Sequence, residues 1–287
     1  MFSQLRALWN HPLARQQRLP ALWRVLRWQW RARAEPQEQP WIEGVRVLVA
    51  RGSNGITGNL YAGLHEPADM ALLLHFLRPG DLFLDVGANL GSYTLLAGVV
   101  AGAEILAFEA SSSTHRQLQA NLALNGIAPE RAIHTAAGAA HGSLRFTRTL
   151  ESANHVAHAT DPASLTEEVP LRRLDDLVPA DARVAAMKID TEGYELQVLA
   201  GAERVLEGQH PCVVEIEVGT GEQGTRVYRH MTQRGFQLHW YDFSTRTLHD
   251  QEPVGHRAAN LLFVRAPEAV RQRLVQSRRF DVYGLQI

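Results

Sequence analysis

The chain has 287 residues, of which 45% are hydrophobic and 21% charged, with a formal net charge of −1. That apolar share is enough for a full core, and the near-neutral balance excludes the global positive field of a nucleic-acid-binding protein. A single cysteine, Cys212, excludes internal disulfides and any cysteine-based metal site. No run of eighteen apolar residues or apolar leader stands at the N-terminus, so the chain reads as cytoplasmic.

Residues 1–40 form a basic extension carrying Arg6, Arg15, Arg18, Arg24, Arg27, Arg31 and Arg33 together with Trp9, Trp23, Trp28 and Trp30. Leu19, Leu22, Val25, Leu26 and Trp30 fall near helical spacing, which predicts an amphipathic helix with a cationic face. Such a helix can dock on its own domain or on a second subunit through residues 1–35. It can equally lie peripherally on the inner face of a membrane rich in anionic lipid. Residues 41–65 predict a hairpin, with Val45, Val47 and Val49 alternating and Asn54-Gly55 supplying the turn. Pro67 opens a helix through Leu77, with Glu66 at its start.

From residue 66 to 265, apolar strands alternate with helices. Strands are expected at Leu82–Val86, Ile105–Glu109, Ala132–Ala136, Ala185–Asp190, Cys212–Val218, Phe236–Tyr241 and Ala259–Val264. Helices are expected at Ser92 to about Val100, Thr114–Asn125, Glu195–Leu206 and Thr225–Arg234. This rhythm predicts an α/β fold: a doubly wound, mostly parallel sheet of seven strands with helices on both faces. Residues 266–287 read as a C-terminal tail.

The most informative stretch is DLFLDVGANLGSYTLLA, Asp81–Ala97: an apolar strand ending near Asp85, a glycine turn and a helix. A second strand then ends in Glu109. Glycines at that turn let a ligand approach the backbone, and a carboxylate on the second strand can accept both ribose hydroxyls. Gly87 and Gly91 are separated by Ala88, Asn89 and Leu90, so the middle glycine that makes room for a pyrophosphate is missing. The spacing suits a nucleoside without phosphates, of which S-adenosylmethionine is the commonest, and it disfavours a nicotinamide cofactor.

A second constellation, KIDTEGYE from Lys188, puts Asp190 at the end of a central strand and Glu192 two residues on. Carboxylates there border the same crevice and are candidates for catalysis. The same residues also suit a helix N-terminus, with Asp190 or Thr191 as the cap. Glu215, inside the apolar run Val213–Ile216, must find a partner or face the cleft. Three carboxylates could also hold a divalent cation, but His155 and His158 sit in no metal pattern, and no metal site is predicted.

With these motifs the chain resembles the FkbM family of S-adenosylmethionine-dependent methyltransferases. The resemblance is carried by DVGANLGSYT from Asp85, AFEA at Ala107–Ala110, KIDTEGYE from Lys188 and VVEIE from Val213. It continues through GNLYAGLHE and LRPGD upstream and RGF downstream. A proline common after the second-strand glutamate is replaced by Ala110. The resemblance implies a Rossmann-like methyltransferase sheet and methyl transfer to a hydroxyl oxygen of a glycan or other small molecule. It implies cofactor contacts from Asp85, Gly87, Ala88, Asn89, Gly91, Tyr93, Glu109 and Ala110, with Ala136 and Ala137 near adenine. Asp190, Glu192 and Glu215 become the catalytic candidates, and Glu66, Asn154 and His155 the acceptor-binding ones. Two other classes share the fold: a nucleic-acid methyltransferase, disfavoured by the missing Asn-Pro-Pro-Tyr type of motif, and a non-catalytic partner-binding protein.

Overall fold

The computed structural model describes residues 2–147, 155–157, 161–208, 210, 212–218, 222–251 and 259–287. The N-terminal extension is helical, with α1 (Phe2–Asn10) and α2 (Arg18–Arg31). A hairpin follows, but it lies upstream of its expected place: β1 (Gln37–Pro40) pairs antiparallel with β2 (Arg46–Val49). Its reversal uses Glu43 and Gly44, both at positive φ. Asn54-Gly55 makes no hairpin turn; it opens α3 (Asn54–Ala62). Helical spacing wins there because Ile56 and Leu60, one turn apart, are both buried. Then comes α4 (Pro67–Phe76), buried throughout from Met70 to Phe76.

The central sheet begins with β3 (Leu82–Val86), α5 (Ser92–Leu95) continuing as a π-helical turn over Leu96–Val100, β4 (Glu104–Glu109), α6 (Ser112–Leu124) and β5 (Ala132–His134). A small three-stranded sheet follows, from β6 (Ala136–Ala137), β7 (Gly142–Thr147) and β8 (Thr166–Arg172), in the order β6-β8-β7. The chain returns through α7 (Leu174–Leu177) to β9 (Val184–Ile189), α8 (Glu195–Ala200), β10 (Cys212–Val218) and α9 (Glu222–Thr232). It closes with β11 (Gln237–Asp242), β12 (Thr247–Asp250), β13 (Ala259–Arg265) and α10 (Pro267–Val275).

The main sheet has eight strands rather than seven, in the order β12-β11-β13-β10-β9-β3-β4-β5; the extra strand is β12, paired antiparallel with β11. The five strands from β10 to β5 run parallel. β13 is antiparallel to both of its neighbours. This is an α/β, Rossmann-like fold with a doubly wound sheet. Apolar side chains of α4, α5, α6 and α10 cover one face, and those of α7, α8 and α9 cover the other. From β3 the chain winds outward through β4 and β5, then crosses back to β9, so the sheet order reverses between β3 and β9. Ligands of such sheets bind beyond the carboxyl ends of the strands at that reversal.

Residues 266–287 are no loose tail. Val270 and Leu274 of α10 are fully buried, and a two-residue hairpin of Asp281–Val282 with Leu285–Gln286 buries Phe280, Val282 and Ile287. Pro267 at the first helical position and apolar residues four apart account for the helix.

Candidate active site

The turn after β3 is built by close approach. Gly87 has φ +86°, and a β-carbon there would lie 1.8 Å from the Asp190 carbonyl oxygen, so only glycine lets the ends of β3 and β9 meet. The Asp190 amide donates to Val86 O at 2.9 Å, and the Gly87 and Ala88 amides both donate to Phe108 O. Asn89 is left-handed, with φ +51°. Its amide donates to Glu109 Oε2 at 2.9 Å, while Glu109 Oε1 accepts the Ser111 amide at 2.8 Å. Glu109 thus joins the glycine turn to the turn after β4. Burial pushes its carboxyl up to about 7, against the opposing pull of the Ser111 and Asn89 amides.

Beside this turn opens a cleft whose empty space, counted to its mouth, is about 650 Å³. Gly87, Asn89, Glu109, Ala110, Ala136, Ala137, Asp190 and Glu192 of the sequence-derived candidates line it together. Thr114, Thr135, Phe146, Val156, Thr191 and Tyr194 also line it and were not anticipated. Phe146 and Val156, bridged to each other, bring the small sheet over the opening. Only the position of that segment after the nucleotide half hinted at a cover.

The other candidates lie elsewhere. Asp85 sits beneath the turn, 2% exposed, with its Oδ2 accepting Thr94 Oγ1 at 2.5 Å; burial pushes it up to about 6. Ala88 is buried in the core, and Gly91 caps α5 against Leu118. His155 is described, but its neighbour Val156, not its own ring, lines the cleft; the imidazole pairs with Asp161 at 3.5 Å. Asn154 lies outside the described residues.

Glu215 does not reach the cleft either. The strand register explains why: Asp85, Lys188 and Glu215 stand side by side on β3, β9 and β10. Lys188, 4% exposed, pairs with Glu215 at 3.3 Å and with Asp190 at 3.6 Å. Burial opposes its charge, but the two carboxylates hold the ammonium above the ordinary lysine range. Tyr93 OH donates to Glu66 at 2.8 Å, within 3.3 Å of Glu215, and Asn260 Nδ2 donates to Glu66, Asp69 and Glu215. Glu66, Tyr93 and Glu215 therefore form one buried polar cluster behind Asp190. Burial pushes Glu215 upward, with Asp69 adding to the effect. Among the described residues no group of His, Cys, Asp and Glu is placed to hold a metal ion.

The turn after β9 is held by Glu195, which the sequence offered only as the start of the following helix. Buried at 1% exposure, its Oε1 accepts the Thr191 amide, the Thr191 hydroxyl and the Gly193 amide. Asp190 is consequently no helix cap; its side chain is committed to Lys188 and the cleft. Glu192, exposed at φ +51°, is pushed up by partial burial and by the charges of Asp190 and Glu195.

A family model described as the methyltransferase FkbM domain matches residues 85–238. Among curated proteins, the hexuronic acid methyltransferase AglP of Haloferax volcanii is 28% identical over 52% of this chain and 61% of its own. Methyltransferase 1 of Beauveria bassiana is 31% identical over 43% and 59% respectively, so the chain spans about three fifths of the length of these relatives. A solved structure of P. horikoshii TYW2 in complex with MeSAdo aligns with a TM-score of 0.43 and 13% identity, over 80% of this chain and 72% of that one. With more than half of its length matched by the family model, the chain belongs to the methyltransferase FkbM domain family.

Proposed function

We propose that the protein transfers the methyl group of S-adenosylmethionine to a hydroxyl oxygen of a sugar or other small-molecule acceptor. The observation that carries this reading is the convergence of Gly87, Asn89, Glu109 and Asp190 on one cleft at the sheet reversal. The residues suit the cofactor. Gly87 leaves the backbone bare, and each Glu109 oxygen accepts one amide and keeps a lone pair for a ribose hydroxyl. Ala136 and Ala137 leave room for a flat ring, and Phe146 and Tyr194 offer apolar surface beside it. When bound, S-adenosylmethionine supplies an already activated methyl.

The protein's remaining task is to align the acceptor oxygen and receive its proton. Asp190 is the group for it. It lines the cleft, its side chain is part-exposed at 29%, and Lys188 pairs with it from behind at 3.6 Å. Glu192, on the next turn of backbone, is placed to hold further acceptor hydroxyls, and Glu215 balances the charge of Lys188. The relative named for hexuronic acid methylation supports a sugar acceptor, as do the acidic and hydroxyl side chains at the mouth.

The test pairs calorimetry of S-adenosylhomocysteine with turnover on uronic-acid-containing glycans. Asp190→Asn is expected to lower kcat by about 100-fold or more while changing homocysteine-product affinity by less than about threefold. Equal losses in both would make Asp190 a cofactor-binding residue.

A further inference from the structure

The N-terminal helix α2 presents two opposite faces, and only one is used by the fold. Ala21 and Trp28 are buried, Arg24 Nε donates to Tyr61 O at 2.8 Å with its guanidinium 4.5 Å over the Tyr283 ring, and Gln17 just ahead of the helix donates to Tyr283 O. The helix is thereby locked in rotation. Its outer face carries Leu19, Trp23, Leu26 and Trp30, exposed at 77%, 66%, 53% and 83%. At about 100° per residue these four fall within an arc of roughly 60°. Arg27 and Arg31 flank the stripe on one side; on the other, Arg18 lies 4.7 Å over the ring of the half-exposed Trp9. An apolar recess between α1 and α2, lined by Leu8, Trp9, Ala14 and Leu22, opens along that flank.

Charge is segregated along the chain. Seven of the 29 Lys and Arg residues stand in the first 34 positions, and all 30 acids lie beyond them. The basic pole thus coincides with the apolar stripe, while the rest of the molecule carries 22 bases against 30 acids.

We infer that this outer face binds the surface of an anionic lipid bilayer. A straight apolar line about 17 Å long, widened on one flank by the recess of Leu8, Trp9, Ala14 and Leu22, suits a fluid apolar layer whose chains adapt to its shape. The indoles of Trp23 within the line and Trp30 at its end are amphipathic groups of the kind that settle at headgroup depth. Arginines on both flanks meet lipid phosphates without leaving water. The docked face keeps the helix folded beforehand, so the surface spends little ordering entropy on binding. Among the described residues no helix is long and apolar enough to cross a membrane, so the contact is peripheral.

Sedimentation of the full chain tests this with two vesicle types: equal parts phosphatidylglycerol and phosphatidylcholine, and phosphatidylcholine alone. Binding is expected to the anionic vesicles, roughly tenfold weaker to the neutral ones, and to weaken as salt is added. W23A/W30A and, separately, R27E/R31E are each expected to lower partition by about tenfold with an unchanged circular-dichroism melt. L19S/L26S serves if the tryptophan variant folds poorly. The inference is overturned by absence of sedimentation with anionic vesicles, or by variants that bind like the parent. A dimer in light scattering that W23A/W30A abolishes, without vesicle binding, would assign the stripe to a second copy instead.

Discussion

Glu109 shows how one side chain serves both fold and ligand. Its two oxygens satisfy the Asn89 and Ser111 amides, tying together turns that follow different strands. Burial has brought its carboxyl to about 7, inside the working pH range. Ribose hydroxyls donate best to the ionised form, so ligand binding pulls the pKa down and competes with protons. The affinity for S-adenosylhomocysteine is therefore expected to weaken roughly tenfold between pH 8 and pH 6, the span over which a group of pKa about 7 takes up its proton. Calorimetry across that range measures it. A flat profile would mean that Glu109 makes no contact with the ligand, and its role would then be confined to holding the two turns.

At the scale of elements, the row Asp85, Lys188 and Glu215 across three adjacent strands sets the electrostatics behind the cleft. Lys188 is the cluster's buried cation, and removing one partner of such a pair costs about 3–5 kcal/mol because a buried charge is left uncompensated. Lys188→Met should thus destabilise the protein by about that much in urea unfolding at pH 8. Without the ammonium, Glu215 keeps its proton well above the ordinary carboxylate range. The folded state then binds more protons than the unfolded chain, and stability rises as pH falls. The loss should accordingly shrink at pH 6, and the double change K188M/E215Q should recover more than half of it at pH 8. A single variant as stable as the parent at pH 8 would make the pair energetically neutral.

The same row marks the limit of what the sequence conveys. The glycine turn, Glu109 and Asp190 were legible because each sits at a strand end, where local pattern alone places it on the crevice. The partnership of Lys188 with Glu215 needed the register between β9 and β10, which no local pattern contains. Glu195, too, reads as an ordinary first-turn acid until the backbone of Thr191 and Gly193 folds back onto it. At Asn54-Gly55 two local signals conflict: the dipeptide favours a turn, while Ile56 and Leu60 favour a helix, and burial decided for the helix.

For the whole molecule, the last 22 residues act as a strap rather than a tail. The Arg273 side chain pairs with Asp81 at the start of the central sheet, and Arg78 donates to Arg273 O at 2.6 Å. Arg246 reaches Ser277 O and the carbonyl of Ile287. Val282 packs onto Gly63 so closely that a β-carbon there would lie 2.3 Å from it, and Glu43 accepts the Asp281 amide. The strap therefore clamps the hairpin, α3, α4 and the β11–β12 edge at once, and through Tyr283 it seats α2, whose outer face is assigned to lipid. Val270, Leu274, Phe280, Val282 and Ile287 are all buried, each contributing about 1.5–3 kcal/mol. Their sum is comparable to the whole net stability of an ordinary domain, about 5–15 kcal/mol. A chain ending at Arg265 is therefore expected to show no cooperative thermal transition, although every residue lining the cleft is retained. Vesicle binding through α2 should become indiscriminate between neutral and anionic lipid, because apolar core is then exposed throughout. A truncated chain that melts cooperatively within about 2 °C of the parent, on the order of 1 kcal/mol or less, would show that the strap adds little and that the sheet with its own helices sustains the fold.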